Sequence, residues 1–112
     1  MKNTVSIKNE LVFQRVITKG NWYGGDFLSV YVLPNNKDFN EIGLGIGKKV
    51  GKAYKRNKVK RWIKASYTLL ESNMKFGFYI VFVWKSKAEY DNVDFASIDR
   101  DLNKTFKKAG II

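Results

Sequence analysis

The chain has no cysteine, no histidine and a single proline among its 112 residues. Without cysteine there is no disulfide, no thiolate nucleophile and no sulfur-bound zinc site, and without histidine no imidazole for acid–base work. A metal-independent protein active site is then disfavoured; a two-carboxylate site remains formally open, but carboxylates are scarce. Ten Asp and Glu stand against 21 Lys and Arg, for a formal charge of +11. Five of the ten acids, Glu89, Asp91, Asp94, Asp99 and Asp101, fall in one late stretch that reads as solvated charge on a loop and a helix, not as a two-carboxylate site. Long apolar runs are missing too. No segment approaches the roughly 20 residues that span a bilayer, and Met1-Lys2-Asn3-Thr4 lacks the apolar block of a signal peptide, so the expectation is a soluble, cytoplasmic protein.

Hydrophobic residues make up 45% of the chain and aromatics 15%, enough for one packed core, and the length fits a single domain over residues 1–112. The excess positive charge in so small a domain draws polyanions. Nucleic acid is the first candidate partner and an anionic membrane surface the second.

Apolar spacing near 3.6 predicts a helix over 9–17, carrying Leu11, Val12, Phe13, Val16 and Ile17 and stopped by Gly20. Residues 21–25, with Trp22 and Tyr23 followed by two glycines, read as a turn or a short strand. A strand follows over 26–33, ended by Pro34-Asn35-Asn36. The next, over 41–47, alternates Ile42, Leu44 and Ile46 with Gly43, Gly45 and Gly47, so one of its faces has no side chains and something should approach that bare backbone closely. From 53 to 72 the period is helical, with Val59, Trp62, Ile63, Tyr67 and Leu70 on one stripe. A turn over 73–77 leads to an apolar run at 78–84 suited to a strand buried on both faces, and a last helix covers 93–108. One sheet covered by helices accounts for this order.

Residues 48–64 hold nine Lys and Arg in seventeen positions, and no acid occurs between Glu41 and Glu71. On a helical wheel with Val59 at zero, the apolar stripe lies within roughly 80° of it, while Asn57, Lys60, Arg61 and Lys64 fall between roughly 100° and 200°. Cations in the first turns of a helix oppose its macrodipole, a cost that a bound polyanion reverses. Helix N-terminal amides favour phosphate, Gly51 permits close approach, and Arg56 and Arg61 can grip phosphate with two hydrogen bonds each. Asn57 both donates and accepts. A basic surface serving solubility alone is the bland alternative. A second surface is suggested by Phe27, Ser29, Tyr31 and Leu33, which share one strand face. If the glycine face of the 41–47 strand lies beside Tyr31, the sheet offers a platform for stacking single-stranded nucleotides, with Phe13 and Ile17 as its wall. The alternative for these residues is core packing.

The run from Gly43 to Lys64, G-L-G-I-G-K-K-V-G-K-A-Y-K-R-N-K-V-K-R-W-I-K, resembles the RNR motif of the protein subunit of bacterial ribonuclease P, G-L-S-V-S-K-K-x-G-x-A-x-x-R-N-x-x-K-R-x-x-R. The order of the remaining elements is similar along essentially the whole chain. The resemblance implies a two-layer α/β (α+β) sandwich of order α-β-β-(β)-α-β-α, like domains of some ribosomal proteins, with a left-handed crossover where the general rule is right-handed. It also implies an accessory subunit of an endoribonuclease whose catalyst is RNA. That RNA, with Mg2+ held mainly by the RNA itself, removes the 5′ leader of precursor tRNA. By position, Lys48, Lys49, Gly51, Lys52, Arg56, Asn57, Lys60, Arg61 and Lys64 would face the catalytic RNA. Phe13, Ile17, Ser29, Tyr31 and Gly45 would line a cleft for the precursor-tRNA leader, with no catalytic residue and no metal ligand supplied by the protein.

Four positions depart from the family pattern. Ile17 stands where Phe is frequent, which removes a ring. Gly45 and Gly47 replace serines, which removes hydroxyls. Lys64 replaces Arg and loses the two-pronged grip. Trp84-Lys85-Ser86 stands in place of Arg-Lys-Pro. A ribosomal or other structural RNA-binding protein is the alternative reading.

Overall fold

The computed structural model describes all residues, 1–112. Five strands, β1 (Thr4–Ser6), β2 (Asn21–Gly24), β3 (Leu28–Pro34), β4 (Asn40–Gly45) and β5 (Phe78–Trp84), form one sheet in the order β1-β4-β5-β3-β2. Strand β5 is central, antiparallel to β3 and parallel to β4. The helices are α1 (Glu10–Lys19), α2 (Ala53–Leu70) and α3 (Phe95–Ala109), and α2 makes the crossover from β4 to β5. No helix is long and apolar enough to cross a membrane.

The two-residue period sends alternate side chains to opposite faces. Leu28, Val30, Val32, Ile42, Ile80 and Phe82 pack with Val59, Ile63 and Tyr67 of α2 and with Ile98, Leu102 and Phe106 of α3. Tyr79, Val81, Val83, Tyr31 and Leu33 face the other way, against Val12, Phe13, Val16 and Ile17 of α1. Two layers describe the α2 and α3 side, and α1 adds part of a third. Helix α1 starts at Asn9, whose side chain accepts from the N–H groups of Leu11 and Val12, and it ends where Gly20 meets β3. A Cβ at Gly20 would sit 2.5 Å from the Val16 carbonyl oxygen and 3.1 Å from that of Val32, so only glycine lets the chain turn there.

Strand β1 has no counterpart among the elements read from the sequence. It is three residues long, pairs in parallel with β4, and is held by side chains remote in the chain. The buried Glu71 carboxylate accepts from the N–H groups of Lys2 (2.9 Å) and Asn3 (3.3 Å) and from the Thr4 hydroxyl (2.7 Å). With its proton committed to that carboxylate, Thr4 accepts from the Tyr67 hydroxyl at 2.7 Å, and Tyr67 accepts in turn from Asn40 Nδ2 at 3.0 Å. Asn40 Oδ1 closes the chain on the Phe78 N–H, tying β1, β4, α2 and β5 together.

The late acidic stretch is not all solvated. Asp101 is 1% exposed and accepts from the N–H groups of Asp26, Phe27 and Leu28 at 2.8–3.0 Å. Asp99 accepts from the Ser66 hydroxyl of α2, and Asp94 caps α3 by accepting from Ser97. Asp101 and Asp99 satisfy backbone and hydroxyl donors that tertiary packing brings to them, which their spacing along the chain does not reveal, whereas the Asp94 cap is local and its side chain stays exposed.

Asp101→Ala leaves three inward N–H groups without an acceptor and is expected to lower stability by about 3 kcal/mol. Asp101→Asn, which keeps one acceptor oxygen, is expected to cost less, and urea unfolding of the two variants checks the order. Burial pushes the Glu71 carboxyl up, but the hydrogen bonds from Thr4, Lys2 and Asn3 and the terminal ammonium more than reverse this, so its pKa lies below the ordinary 4.5. A depressed folded-state value contributes stability that is complete above the unfolded value and is lost as pH falls through the folded one. Glu71→Gln is therefore expected to be less stable than wild type at neutral pH, with the gap closing in acid below the ordinary carboxylate range, as denaturant titrations over pH would record.

Candidate nucleic-acid interface

The basic segment folds as a 3-10 turn over Lys48–Val50, a glycine, and the first three turns of α2. Val50 is buried and anchors the turn, leaving Lys48, Lys49 and Lys52 in solvent. Gly51 has φ +130°, a conformation that L side chains rarely adopt. Arg56 Nη1 donates to the Gly51 carbonyl oxygen at 3.0 Å and so locks the turn onto the helix. Lys52 precedes the helix and supplies no side-chain cap, and there is no acid in the first turn. The leading amides therefore have no side-chain acceptor.

Along α2, Val59, Ile63, Ser66 and Tyr67 are buried, while Asn57, Lys58, Arg61 and Lys64 are exposed and Lys60 is half-buried. The wheel expectation holds for the ridge, but Arg56 is partly turned inward. Its contact with Gly51 occupies one of five guanidinium N–H donors and leaves the rest for a ligand. The molecule has one ion pair, Lys37–Glu41, so none of the nine cations between Lys48 and Lys64 is neutralised. Two of them rest on aromatics: Lys55 Nζ lies 5.1 Å from the Tyr90 ring centroid and Lys58 Nζ 5.5 Å from that of Trp62. Trp62 and Tyr90 are stacked on each other at 6.4 Å. Tyr90 is a loop residue whose contribution depends on α2 passing beside it, and no periodicity marks it.

The second surface lies on the opposite face of the sheet, under α1. The expectation that the glycine strand sits beside Tyr31 is corrected: β5 lies between β4 and β3, because the most continuously apolar strand takes the position buried on both sides. The register sets two rows across the sheet on this face. One is Trp22, Tyr31, Val81 and Gly43, and the other is Gly24, Ser29, Val83 and Gly45. The group that approaches the bare β4 backbone is the Phe13 ring. A Cβ on Gly43 would lie 2.8 Å from its Cδ2 and Cε2, and one on Gly45 would lie 3.2 Å from its Cζ. Ser29, Tyr31 and Gly45 thus lie on one face of the sheet, which with α1 as its wall forms a trough, and Phe13 and Ile17 of that wall pack with Tyr31 against Val16, Tyr79 and Val81. Ridge and trough meet at the outer edge of β4, in a 210 Å³ hollow lined by Ser6, Ile7, Ile42, Gly43, Leu44, Lys60 and Lys64. Trp22 and Lys85, absent from the sequence-derived site, meet at the β2 end of the same face, with Lys85 Nζ 5.8 Å from the Trp22 ring centroid. The alternation of Trp22 with Gly24 was the available signal.

No group of three or more acidic side chains placed to hold a metal ion occurs in the fold. The mixed sheet, the uncapped cationic helix and the small-residue trough define the class: a small α+β domain that presents a polyanion-sized basic ridge on one face and an aromatic-edged groove on the other. The Ribonuclease P family model matches residues 1–110. The ribonuclease P protein component of Clostridium botulinum strain 657 is 39% identical, over 94% of this chain and 94% of its own, and that of Clostridium perfringens strain SM101 is 34% identical over 96% and 90%. Among solved structures, the Staphylococcus aureus RNase P protein superposes with a TM-score of 0.83 at 28% identity, covering 95% of each chain. The Thermotoga maritima RNase P protein does so at 0.75 and 26%, covering 86% of this chain and 89% of its own. The chain belongs to the ribonuclease P protein family.

A side chain at position 43 must displace Phe13, whereas one at Gly47 meets nothing within 4 Å. Gly43→Ala is expected to cost about 1–3 kcal/mol and to shift the Phe13 ring resonances, while Gly47→Ala stays within about 0.5 kcal/mol of wild type. Thermal unfolding with aromatic NMR spectra checks both.

Proposed function

We propose that the chain is the subunit that docks on the catalytic RNA of ribonuclease P through Lys48, Lys49, Lys52, Arg56, Asn57, Lys60, Arg61 and Lys64, and holds the single-stranded 5′ leader of precursor tRNA in the trough under α1. The observation that carries this is the unpaired cationic ridge of α2, displayed on a chain of this family. Each phosphate neutralised by a Lys or Arg releases condensed counterions, which favours association most at low salt. The same charges lower the repulsion between substrate and catalytic RNA, so cleavage proceeds with less magnesium. The ion belongs to the RNA in this reading and is held by phosphate oxygens. The protein binds, orients and screens, and the endonucleolytic step that matures the tRNA 5′ end is left to the RNA, in the cytoplasm. In the trough, Tyr31 and Phe13 supply π-faces, Ser29 a hydroxyl, and Gly45 the bare backbone that lets the Phe13 ring lie against the sheet.

Reconstitution tests the reading: added protein is expected to accelerate cleavage of precursor tRNA by the cognate catalytic RNA at low magnesium, and no acceleration refutes it. Arg61→Ala is expected to weaken binding to that RNA by roughly 1–3 kcal/mol and to reduce the slope of log K against log salt by about one, with unchanged unfolding. Arg56→Ala is expected to share the binding loss and also to lower the melting temperature, because it releases the Gly51 turn. Filter binding over a salt series, paired with thermal unfolding, separates the two arginines.

A further inference from the structure

Trp22 is 56% exposed on an edge strand, an unusual place for the largest side chain in a protein that buries Trp84 to 5%. Its position is set by three neighbours. It is the cross-strand partner of Tyr31, about 5 Å away from backbone to backbone, and it shares that residue's face. Its indole does not lean onto Tyr31 but along its own strand: a Cβ on Gly24 would come within 2.7 Å of indole Cη2 and Cζ2. Lys85, the first residue after β5, reaches the same spot, with its Nζ 5.8 Å from the Trp22 ring centroid and 3.2 Å from the Cβ position of Gly24. The missing side chain at Gly24 is what lets an indole and an ammonium group converge there.

Apart from Tyr31, the residues beside the indole on this face, Gly24, Ser29 and Lys85, are small or polar, so the indole is not the edge of a broad apolar patch awaiting a protein partner. A flat π-face beside a free ammonium, continuous with a second aromatic one strand away, matches the repeating unit of a single strand of nucleic acid: a base to stack and a phosphate to pair. We propose that Trp22, Lys85 and Gly24 form a further nucleotide subsite that extends the trough past Tyr31 to the β2 edge. Trp22 stacks one base of a single-stranded RNA, and Lys85 contacts an adjoining phosphate. The inference rests on the reading of the trough as a single-strand groove.

The test measures binding of a single-stranded oligouridylate and of a duplex RNA of equal charge to full-length protein, by Trp fluorescence and by filter binding. For the single strand, Trp22→Ala is expected to weaken binding about 5- to 100-fold and Trp22→Phe by less than about 3-fold, with duplex binding unchanged in both. Quenching on addition of the strand is expected in wild type and lost in Trp22→Phe, a signature that a merely structural Trp22 would not give. Lys85→Ala is expected to weaken single-strand binding and flatten its salt dependence. If Tyr31→Ala weakens the single strand and Trp22→Ala does not, the subsite is refuted and the trough stands. If neither variant has an effect, trough and subsite fall together. Equal losses for strand and duplex in Trp22→Ala, with a lowered melting temperature, return Trp22 to a purely structural role and also overturn the proposal.

Discussion

Ile80, Phe82 and Trp84 of β5 press against α2 and α3 while Tyr79, Val81 and Val83 press against α1, so neither face of this strand tolerates water. Each such side chain contributes on the order of 1.5–3 kcal/mol when fully withdrawn from solvent, and no other strand collects this from both sides along its length. Because β5 must be central, β3 and β4 become its two neighbours and are separated from each other. Because α2 crosses from β4 to β5 on one face, α1 is left to the other. The two surfaces, basic ridge and small-residue trough, are consequences of that division, and β4 contributes to both: its Ile42 and Leu44 pack toward α2, and its Gly43 and Gly45 lie under Phe13.

The ridge is held in place against its own electrostatics. Cations before and within the first turns of α2 oppose the macrodipole by a few tenths of a kcal/mol each, and no carboxylate within reach relieves them. The helix persists because Val59, Ile63 and Tyr67 are fully buried, because Ser66 reaches Asp99 on α3, and because Arg56 fastens the preceding turn. Lys55 and Lys58 place their ammonium groups over Tyr90 and Trp62 and so gain attraction without losing charge. The repulsion that remains is relieved only by an outside polyanion. By linkage, binding such a partner also stabilises the fold.

The elements legible in the sequence are those whose stabilisation repeats along the chain. The period of α2, the alternation of β4 and the unbroken apolar run of β5 each carry their burial pattern in local order, and all three lie where expected. Strand β1 carries no such pattern: Val5 is exposed, and the strand exists because Glu71, far away in sequence, collects its leading N–H groups. Asp101 fails for the same reason in reverse. A carboxylate on the last helix resembles solvated charge until packing brings Asp26, Phe27 and Leu28 to it. Within the site, the outward positions of Asn57, Arg61 and Lys64 follow from helical angles alone, whereas the inward turn of Arg56 needs the φ of Gly51 to be known. The resemblance to the RNR motif pointed to both surfaces, but the insertion of β5 between Tyr31 and the glycine strand is a matter of sheet order, which no local signal encodes.

The departures from the family pattern take on a common meaning once the trough is laid out in register. Gly45 and Gly47 remove two hydroxyls from the β4 side, and Ile17 removes a ring from the α1 wall. Hydrogen-bonding capacity is thereby reduced at that end, where Phe13 now covers the backbone directly. At the opposite end, across β5 and β3 from β4, Trp22 adds the largest π-face available to a protein, and Gly24 gives it room. If the trough holds a single strand as proposed, the balance along it shifts from hydroxyl contacts near β4 toward stacking near β2. Stacking is tolerant of base identity because every base presents a π-face, whereas hydroxyl contacts depend on which polar edge is offered. On the proposed reading of the trough, a groove rebalanced in this way would grip a single strand with less regard for its sequence and would shift the point of strongest hold outward, away from the β4 edge.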